Sequence, residues 1–165
     1  MTYTLAVIAL NKPGVLARIS GLLSRRVFNI ESIAAGYTEE PAVTRITLVV
    51  NGDERDLEQI IQQLSKLVDV LTIVQLEEGN SIERELALIK VQANIETRRE
   101  IVDIVEIFRA NIVDVNPETM VIQIIGDEQK INAFTQVLEH QGIIEIVRTG
   151  KIALSRQPLA AKDQG

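Results

Sequence analysis

The sequence predicts an α+β fold built from two βαββαβ modules that follow one another along the chain. Apolar residues alternate between strand-like and helical spacing, in the same order twice, within 165 residues. A short polar stretch at 78–81 divides the two series. Gly-Asp-Glu occurs once in each series, at 52–54 and 126–128, just before the second predicted helix. These three observations indicate two modules of similar architecture.

The elements of the first module follow from its hydrophobic periodicity. Val15 and Ile19 begin one apolar stripe at helical spacing, and Leu57 and Ile60 begin another, with Asp53 as the N-cap of the second helix. The resulting order is that of the split βαβ, or ferredoxin-like, fold. The predicted elements are strands at 3–10, 29–37, 45–50 and 68–76, and helices at 13–26 and from 53 onward.

The second module repeats this order. Its helices are predicted from the apolar spacing of Ile101 and Ile104 and of Ile131 and Phe134. Its strands are predicted at 86–93, 112–115, 120–125 and 143–154, the last one broken near 149–150. We therefore expect domains at 1–77 and 82–157, a linker at 78–81 and a flexible tail at 158–165.

Composition excludes several classes of function. The formal net charge is −6 and aromatic residues make up only 3% of the chain, which disfavours binding to nucleic acid. The absence of cysteine removes disulfides, thiol catalysis and cysteine-based zinc sites. No apolar run approaches the roughly 20 residues of a membrane span, and no signal peptide is evident. We expect a soluble, cytoplasmic protein.

Motifs for catalysis are missing from the sequence. The only histidine, His140, lies at the expected end of a helix, where a cationic side chain complements the negative end of the helix dipole. No nucleophile elbow, P-loop or dinucleotide-binding glycine motif occurs. The acidic pairs at 39–40 and 77–78 lie at turns and have no histidine neighbours. We expect no catalytic residue, no metal ligand and no cofactor in this chain.

The segment 11–16, Asn-Lys-Pro-Gly-Val-Leu, is the best chemical lead. It joins a strand to a helix, where unpaired N–H groups at the positive end of the helix dipole favour a small anion. Pro13 has a φ suited to a first helical turn, and Gly14 allows a ligand to approach the backbone. Taken alone, the segment is better interpreted as a connector between strand and helix.

Asn29 strengthens the interpretation of this segment as a binding site. It lies where the first helix meets the second strand, so two asparagines, Asn11 and Asn29, flank the same helix. Their amide oxygens accept hydrogen bonds from an ammonium group, while the N–H groups of Gly14 and Val15 donate to a carboxylate. A free amino acid carries both groups, so we predict an amino-acid ligand.

These residues resemble a known family. The motif at 11–16, followed by Asn-Ile-Glu-Ser at 29–32, resembles the ACT domain, specifically that of the regulatory small subunit of acetolactate synthase (acetohydroxyacid synthase). The second half is similar to the C-terminal domain of that family, and the resemblance covers roughly residues 2–156. The motifs that carry it are Glu-Arg-Glu-Leu at 83–86, Lys-Val at 90–91, Phe-Arg-Ala-Asn-Ile-Val-Asp-Val at 108–115 and Arg-Thr-Gly-Lys-Ile-Ala-Leu-Ser-Arg at 148–156.

The resemblance implies an N-terminal ACT domain that forms a homodimer and binds valine, or a related branched-chain amino acid, between its subunits. Val27 departs from the family pattern, which commonly has Gly there, and Tyr37 replaces a residue that is often Pro. The residues implied on one side of the ligand are Asn11, Pro13, Gly14, Val15 and Leu16, and those from the partner chain are Asn29 and Ile30.

The resemblance also implies a role in branched-chain amino-acid biosynthesis, including that of isoleucine. The chain is not the catalyst but binds the large subunit, which condenses pyruvate. It raises the activity of that subunit and makes it sensitive to valine. Thiamine diphosphate, magnesium and FAD are expected on the large subunit, and the contacts for activation are expected from the second domain.

Two alternatives remain at this point. An ACT-domain amino-acid sensor that regulates another enzyme or a transcription factor shares the N-terminal motif. A stand-alone enzyme on a ferredoxin-like fold is also open, because a fold does not fix a function.

Overall fold

The protein is described from a computed structural model, which covers residues 1–24 and 28–157. Contacts divide the chain into two compact units. The first consists of Met1–Ile82 and the segment that begins at Ile152, and the second is Glu83–Lys151. The predicted architecture, an α+β fold of two ferredoxin-like modules, is confirmed.

The first unit has the predicted β-α-β-β-α-β order. Its antiparallel sheet has the strand order β2-β3-β1-β4. The elements are β1 (Thr2–Leu10), α1 (Val15–Ser24), β2 (Asn29–Tyr37), β3 (Val43–Asn51), α2 (Glu54–Ser65) and β4 (Val70–Leu76).

The two helices of this unit bury one apolar stripe each against the sheet. Asp53 caps α2, since its side chain accepts from the N–H of Asp56 while the Asp56 side chain accepts from the N–H of Asp53. This confirms the predicted N-cap. The buried stripes are Val15, Ile19 and Leu23 on α1 and Leu57, Ile60 and Leu64 on α2.

The second unit has the same order of elements. Its sheet has the strand order β6-β7-β5-β8, and Phe108 and Phe134 meet in the core with their ring centroids 5.1 Å apart. A short 3₁₀ turn, Glu139–Gln141, follows the last helix and contains His140, as predicted. The elements are β5 (Ser81–Gln92), α3 (Arg98–Ile107), β6 (Asn111–Val115), β7 (Thr119–Gly126), α4 (Glu128–Leu138) and β8 (Ile143–Arg148).

A ninth strand, β9 (Ile152–Ser155), lies in the compact unit that contains Met1–Ile82, whereas the sequence analysis assigned residues up to 157 to the second domain. Ala153 is 5% exposed and packs with Ala6 and Leu76 of the first unit. The Arg45 guanidinium donates to the Ala153 carbonyl oxygen at 2.7 Å. Burial lowers the pKa of Arg45, an effect that nearby Glu39 opposes. The end of the described chain thus completes the first unit.

Other boundaries differ by a few residues. The strand predicted at 86–93 begins at Ser81, inside the predicted linker. The strand predicted at 143–154 is divided into β8 and β9 near Gly150, which has φ of +82°. The predictions for Val27 and for the tail at 158–165 lie outside the described residues.

Candidate functional site

The junction between β1 and α1 is a type II turn centred on Pro13 and Gly14. The Val15 N–H donates to the Lys12 carbonyl at 3.3 Å, and Gly14 has φ of +83°. A side chain at that φ is strained, so the turn itself favours glycine. Helix α1 begins only at Val15, and Pro13 therefore fixes the turn rather than the first helical turn that we predicted.

Three backbone N–H groups are available at this turn. Those of Gly14, Leu16 and Ala17 have no acceptor among residues 1–24 and 28–157. The prediction that Gly14 and Val15 donate to a carboxylate is thus corrected for Val15, whose N–H closes the turn. The donors that remain lie within five residues at the start of a helix, where the helix dipole favours an anion.

Asn11 is held at the edge of this turn. Its N–H donates to the Ala42 carbonyl at 2.7 Å, and its side-chain Nδ2 donates to the Pro41 carbonyl at 3.2 Å. These two bonds orient the amide and leave its Oδ1 as an acceptor. Because the side chain is exposed, Oδ1 is accessible to the ammonium group of a ligand.

The apolar residues of the motif divide between core and surface. The Val15 side chain is 3% exposed and belongs to the core, so its place in the predicted site is through the backbone alone. Leu16 is 46% exposed and is available to an apolar ligand group. Ile30 is partly buried and packs against the same core as Val15.

Asn29 lies at the opposite end of the sheet from Asn11. It starts the edge strand β2 and pairs with Asn51, which also pairs with Thr2 at the start of β1. Asn11 instead follows Leu10, the last residue of β1. The structure does not bring the two predicted asparagines together in one chain.

The separation can be estimated from strand register. Leu10 pairs with Val43, and Asn29 pairs with Asn51, so the two levels are eight residue steps apart along β3. At roughly 3.4 Å per residue this corresponds to about 27 Å along the sheet. A free amino acid spans only a fraction of that length, and therefore does not contact both asparagines of the same chain.

Sequence analysis missed a charged cluster of Lys12, Arg18 and Asp69 beside the turn. Arg18 Nη2 donates to Asp69 Oδ2, and Lys12 Nζ lies 3.9 Å from Asp69 Oδ1. The Asp69 carbonyl also accepts the N–H of Leu10 at 2.8 Å. Asp69 follows Arg18 by 51 residues, so local spacing gives no sign of this contact.

The described residues contain no cluster of three or more metal-ligating side chains. His140 is exposed in its 3₁₀ turn. None of the described helices has the length and apolar character needed to cross a membrane.

Comparison with known proteins identifies the family. The model of an "AHAS small subunit-like ACT domain" matches residues 5–72, and that of the "small subunit of acetolactate synthase" matches 84–157. The probable acetolactate synthase small subunit of Archaeoglobus fulgidus is 49% identical over 156 residues, covering 94% of this chain and 98% of that protein. The chain belongs to the acetolactate synthase small-subunit family. The resemblance found in the sequence is confirmed.

Further relatives support the assignment over the full length. The acetolactate synthase small subunit of Mycolicibacterium smegmatis is 50% identical over 157 residues, covering 95% of this chain and 92% of that protein. The crystal structure of the Thermotoga maritima small subunit matches with a TM-score of 0.89 and 39% identity, covering 96% of this chain and 99% of that one. Members of the family are regulatory, non-catalytic subunits of a holoenzyme that also contains a large catalytic subunit.

Proposed function

We propose that this chain binds valine, or a related branched-chain amino acid, between the ACT domains of two copies of itself. The observation that carries the proposal is the position of Asn11 and Asn29 at opposite ends of one sheet. Because a ligand does not span that distance within a chain, a site that uses both asparagines takes one from each subunit. A two-fold dimer then contains two equivalent sites.

The chemistry of each half-site is complementary to an amino acid. The N–H groups of Gly14, Leu16 and Ala17 donate to the carboxylate. The Oδ1 of Asn11 accepts from the ammonium group together with Asn29 of the partner subunit. The exposed side chain of Leu16 contacts the branched side chain of the ligand. Selectivity among valine, leucine and isoleucine is expected to be modest, since one methylene contributes about 1 to 3 kcal/mol.

Ligand binding at such an interface regulates the holoenzyme through dimer geometry. We propose that the chain activates the large subunit and that valine reverses this effect by favouring one quaternary arrangement, with a coupling of about 1 to 3 kcal/mol. Thiamine diphosphate, magnesium and FAD, in this proposal, belong to the large subunit, where pyruvate is condensed in the cytoplasm. The second domain supplies contacts for activation.

A subunit-mixing experiment tests the shared site. Chains carrying Asn11→Ala and Asn29→Ala are co-expressed with different affinity tags, and the heterodimer is isolated. In a shared site, one of its two sites regains both asparagines, so calorimetry shows one tight valine site per heterodimer and weak binding to each parent homodimer. A site within a single chain leaves the heterodimer as weak as its parents, which contradicts the proposal.

The regulatory role is tested by reconstitution. Pyruvate condensation is measured with the chain alone, with a matching large subunit, and with valine added. We expect no activity from the chain alone, activation of the large subunit by the chain, and inhibition by valine. Condensation by the isolated chain contradicts the proposal, as does a large subunit that the chain leaves unchanged.

A further inference from the structure

We propose that Arg18, positioned by Asp69, recognises the carboxylate of the amino-acid ligand. This inference rests on the function proposed above and adds to it a residue that the sequence motif does not contain. Arg18 belongs to the charged cluster that it forms with Lys12 and Asp69 beside the Pro13–Gly14 turn.

The geometry places the Arg18 guanidinium over the turn. A Cβ added to Gly14 would lie 3.2 Å from Arg18 Nη1, so this nitrogen lies against the glycine backbone. Nη2 of the same guanidinium is held by Asp69, whereas Nη1 has no partner among the described residues. One arm of the guanidinium is therefore anchored, and the other faces the place where a ligand meets Gly14.

The charge of the cluster favours an anion. Two cations, Lys12 and Arg18, share the single carboxylate of Asp69, so the cluster carries a net charge of about +1 at neutral pH. The Asp69 side chain is only 16% exposed, whereas the side chains of Arg18 and Lys12 are 49% and 62% exposed. The anion is shielded, and the cations are accessible to a ligand.

The second unit lacks this arrangement at the corresponding position. Ile19 in α1 and Ile101 in α3 are both fully buried in the first half of their helix. The residue that precedes the buried isoleucine is Arg18 in the first unit and Glu100 in the second. The backbone position of Asp69, which accepts from the end of β1, is occupied in the second unit by Gly142, which accepts from Gln92. The cationic cluster is thus not a requirement of the fold.

The test compares valine with valinamide, which lacks the carboxylate, by calorimetry on the full chain at pH 7. We expect Arg18→Gln to weaken valine binding roughly tenfold or more, because a charge-assisted hydrogen bond is lost, and to leave valinamide affinity unchanged. Arg18→Lys should restore part of the affinity. Arg55→Gln, an equal charge change at an exposed position of α2, serves as the control.

Salt dependence provides a second measurement that does not need valinamide to bind. Screening by added salt should weaken valine binding to the wild-type chain more steeply than to Arg18→Gln. Equal losses for valine and valinamide, or wild-type valine affinity in Arg18→Gln, overturn the role of Arg18. A wild-type chain that binds neither valine, leucine nor isoleucine overturns instead the proposed function on which this role depends.

Discussion

The two units build the same strand-to-helix junction and use it differently. In the first, Leu10 N–H donates to the Asp69 carbonyl at 2.8 Å and Asn11 N–H to that of Ala42 at 2.7 Å. In the second, Gln92 N–H donates to the Gly142 carbonyl at 2.9 Å and Ala93 N–H to that of Glu118 at 2.8 Å. Each junction contains an asparagine: Asn11 is itself the second donor of the first junction, and Asn94 follows the second donor of the other, Ala93.

The two junctions differ in the hydrogen bonds that their asparagine side chains accept. Asn94 Oδ1 accepts from the N–H groups of Glu96 and Thr97, both at 2.9 Å, and from the Thr97 hydroxyl at 3.2 Å. Its acceptor capacity is used inside the loop, ahead of α3. Asn11 Oδ1 has no such partner in the described chain, and the neighbouring N–H groups of Gly14, Leu16 and Ala17 have no acceptor there either. Both units therefore form this junction as part of the same fold. The loop residues determine whether the polar groups of the junction bond to one another or remain available to a ligand.

Among substitutions that test the difference between the two junctions, Gly14→Asp is expected to have the largest effect on valine affinity. The substitution places a side chain at a φ of +83° and a carboxylate close to Arg18, where the ligand carboxylate would bind. We expect a loss of valine affinity of about a hundredfold or more, measured by calorimetry, and loss of valine inhibition in the reconstituted enzyme. Gly21→Ala in helix α1, where an added Cβ meets nothing within 4 Å, is the control. Wild-type valine affinity in Gly14→Asp would remove this turn from the site.

Asn11→Ala should weaken valine binding by roughly tenfold and leave the fold nearly intact. The side chain makes one exposed hydrogen bond to Pro41, so we expect its loss to lower the free energy of unfolding by at most about 1 kcal/mol. Calorimetry and urea unfolding on the same preparation give both numbers. A large loss of stability with unchanged valine binding would show that Asn11 only stabilises the connection between β1 and α1 and does not contact the ligand.

Asn94→Ala should give the opposite result and the smallest functional effect. It removes three hydrogen bonds at the start of α3, and we expect the free energy of unfolding to fall by about 1 to 2 kcal/mol, as for loss of a helix cap. Valine affinity should stay within twofold of the wild type. Weakened valine binding in Asn94→Ala would mean that the second junction also takes part in ligand recognition.

Local signals in the sequence predicted most of the fold. The apolar stripes of the four helices and the cap at Asp53 depend on residues within one or two turns of each other, which a single sequence displays. The turn at 12–15 also had a local signal, since Pro followed by Gly is typical of a type II turn. The prediction that Pro13 belongs to the helix is therefore wrong, and with it the prediction that the Val15 N–H is free to bind a ligand.

Contacts between distant residues were not predictable in this way. Arg45 and Ala153 are 108 residues apart, and Arg18 and Asp69 are 51 apart. Neither contact produces a periodic pattern in the sequence, because nothing in the residues around each partner indicates which distant residue it contacts. The sequence motif predicted the part of the candidate site that contains Asn11 and Gly14. The charged part depends on the pairing of β4 with β1, because Asp69 directly precedes β4 and contacts Arg18.

Because β9 belongs to the first unit, that unit is completed by residues that the ribosome adds after the second unit. Ile152 follows Leu76, the last residue of β4, by 76 residues in the sequence. At about 5 to 20 residues per second, a ribosome needs roughly 4 to 15 seconds to add them. During that interval Ala6 and Leu76 lack their neighbour Ala153, and the Arg45 guanidinium lacks its carbonyl acceptor. The domain that is made first is thus completed only after the second has been made.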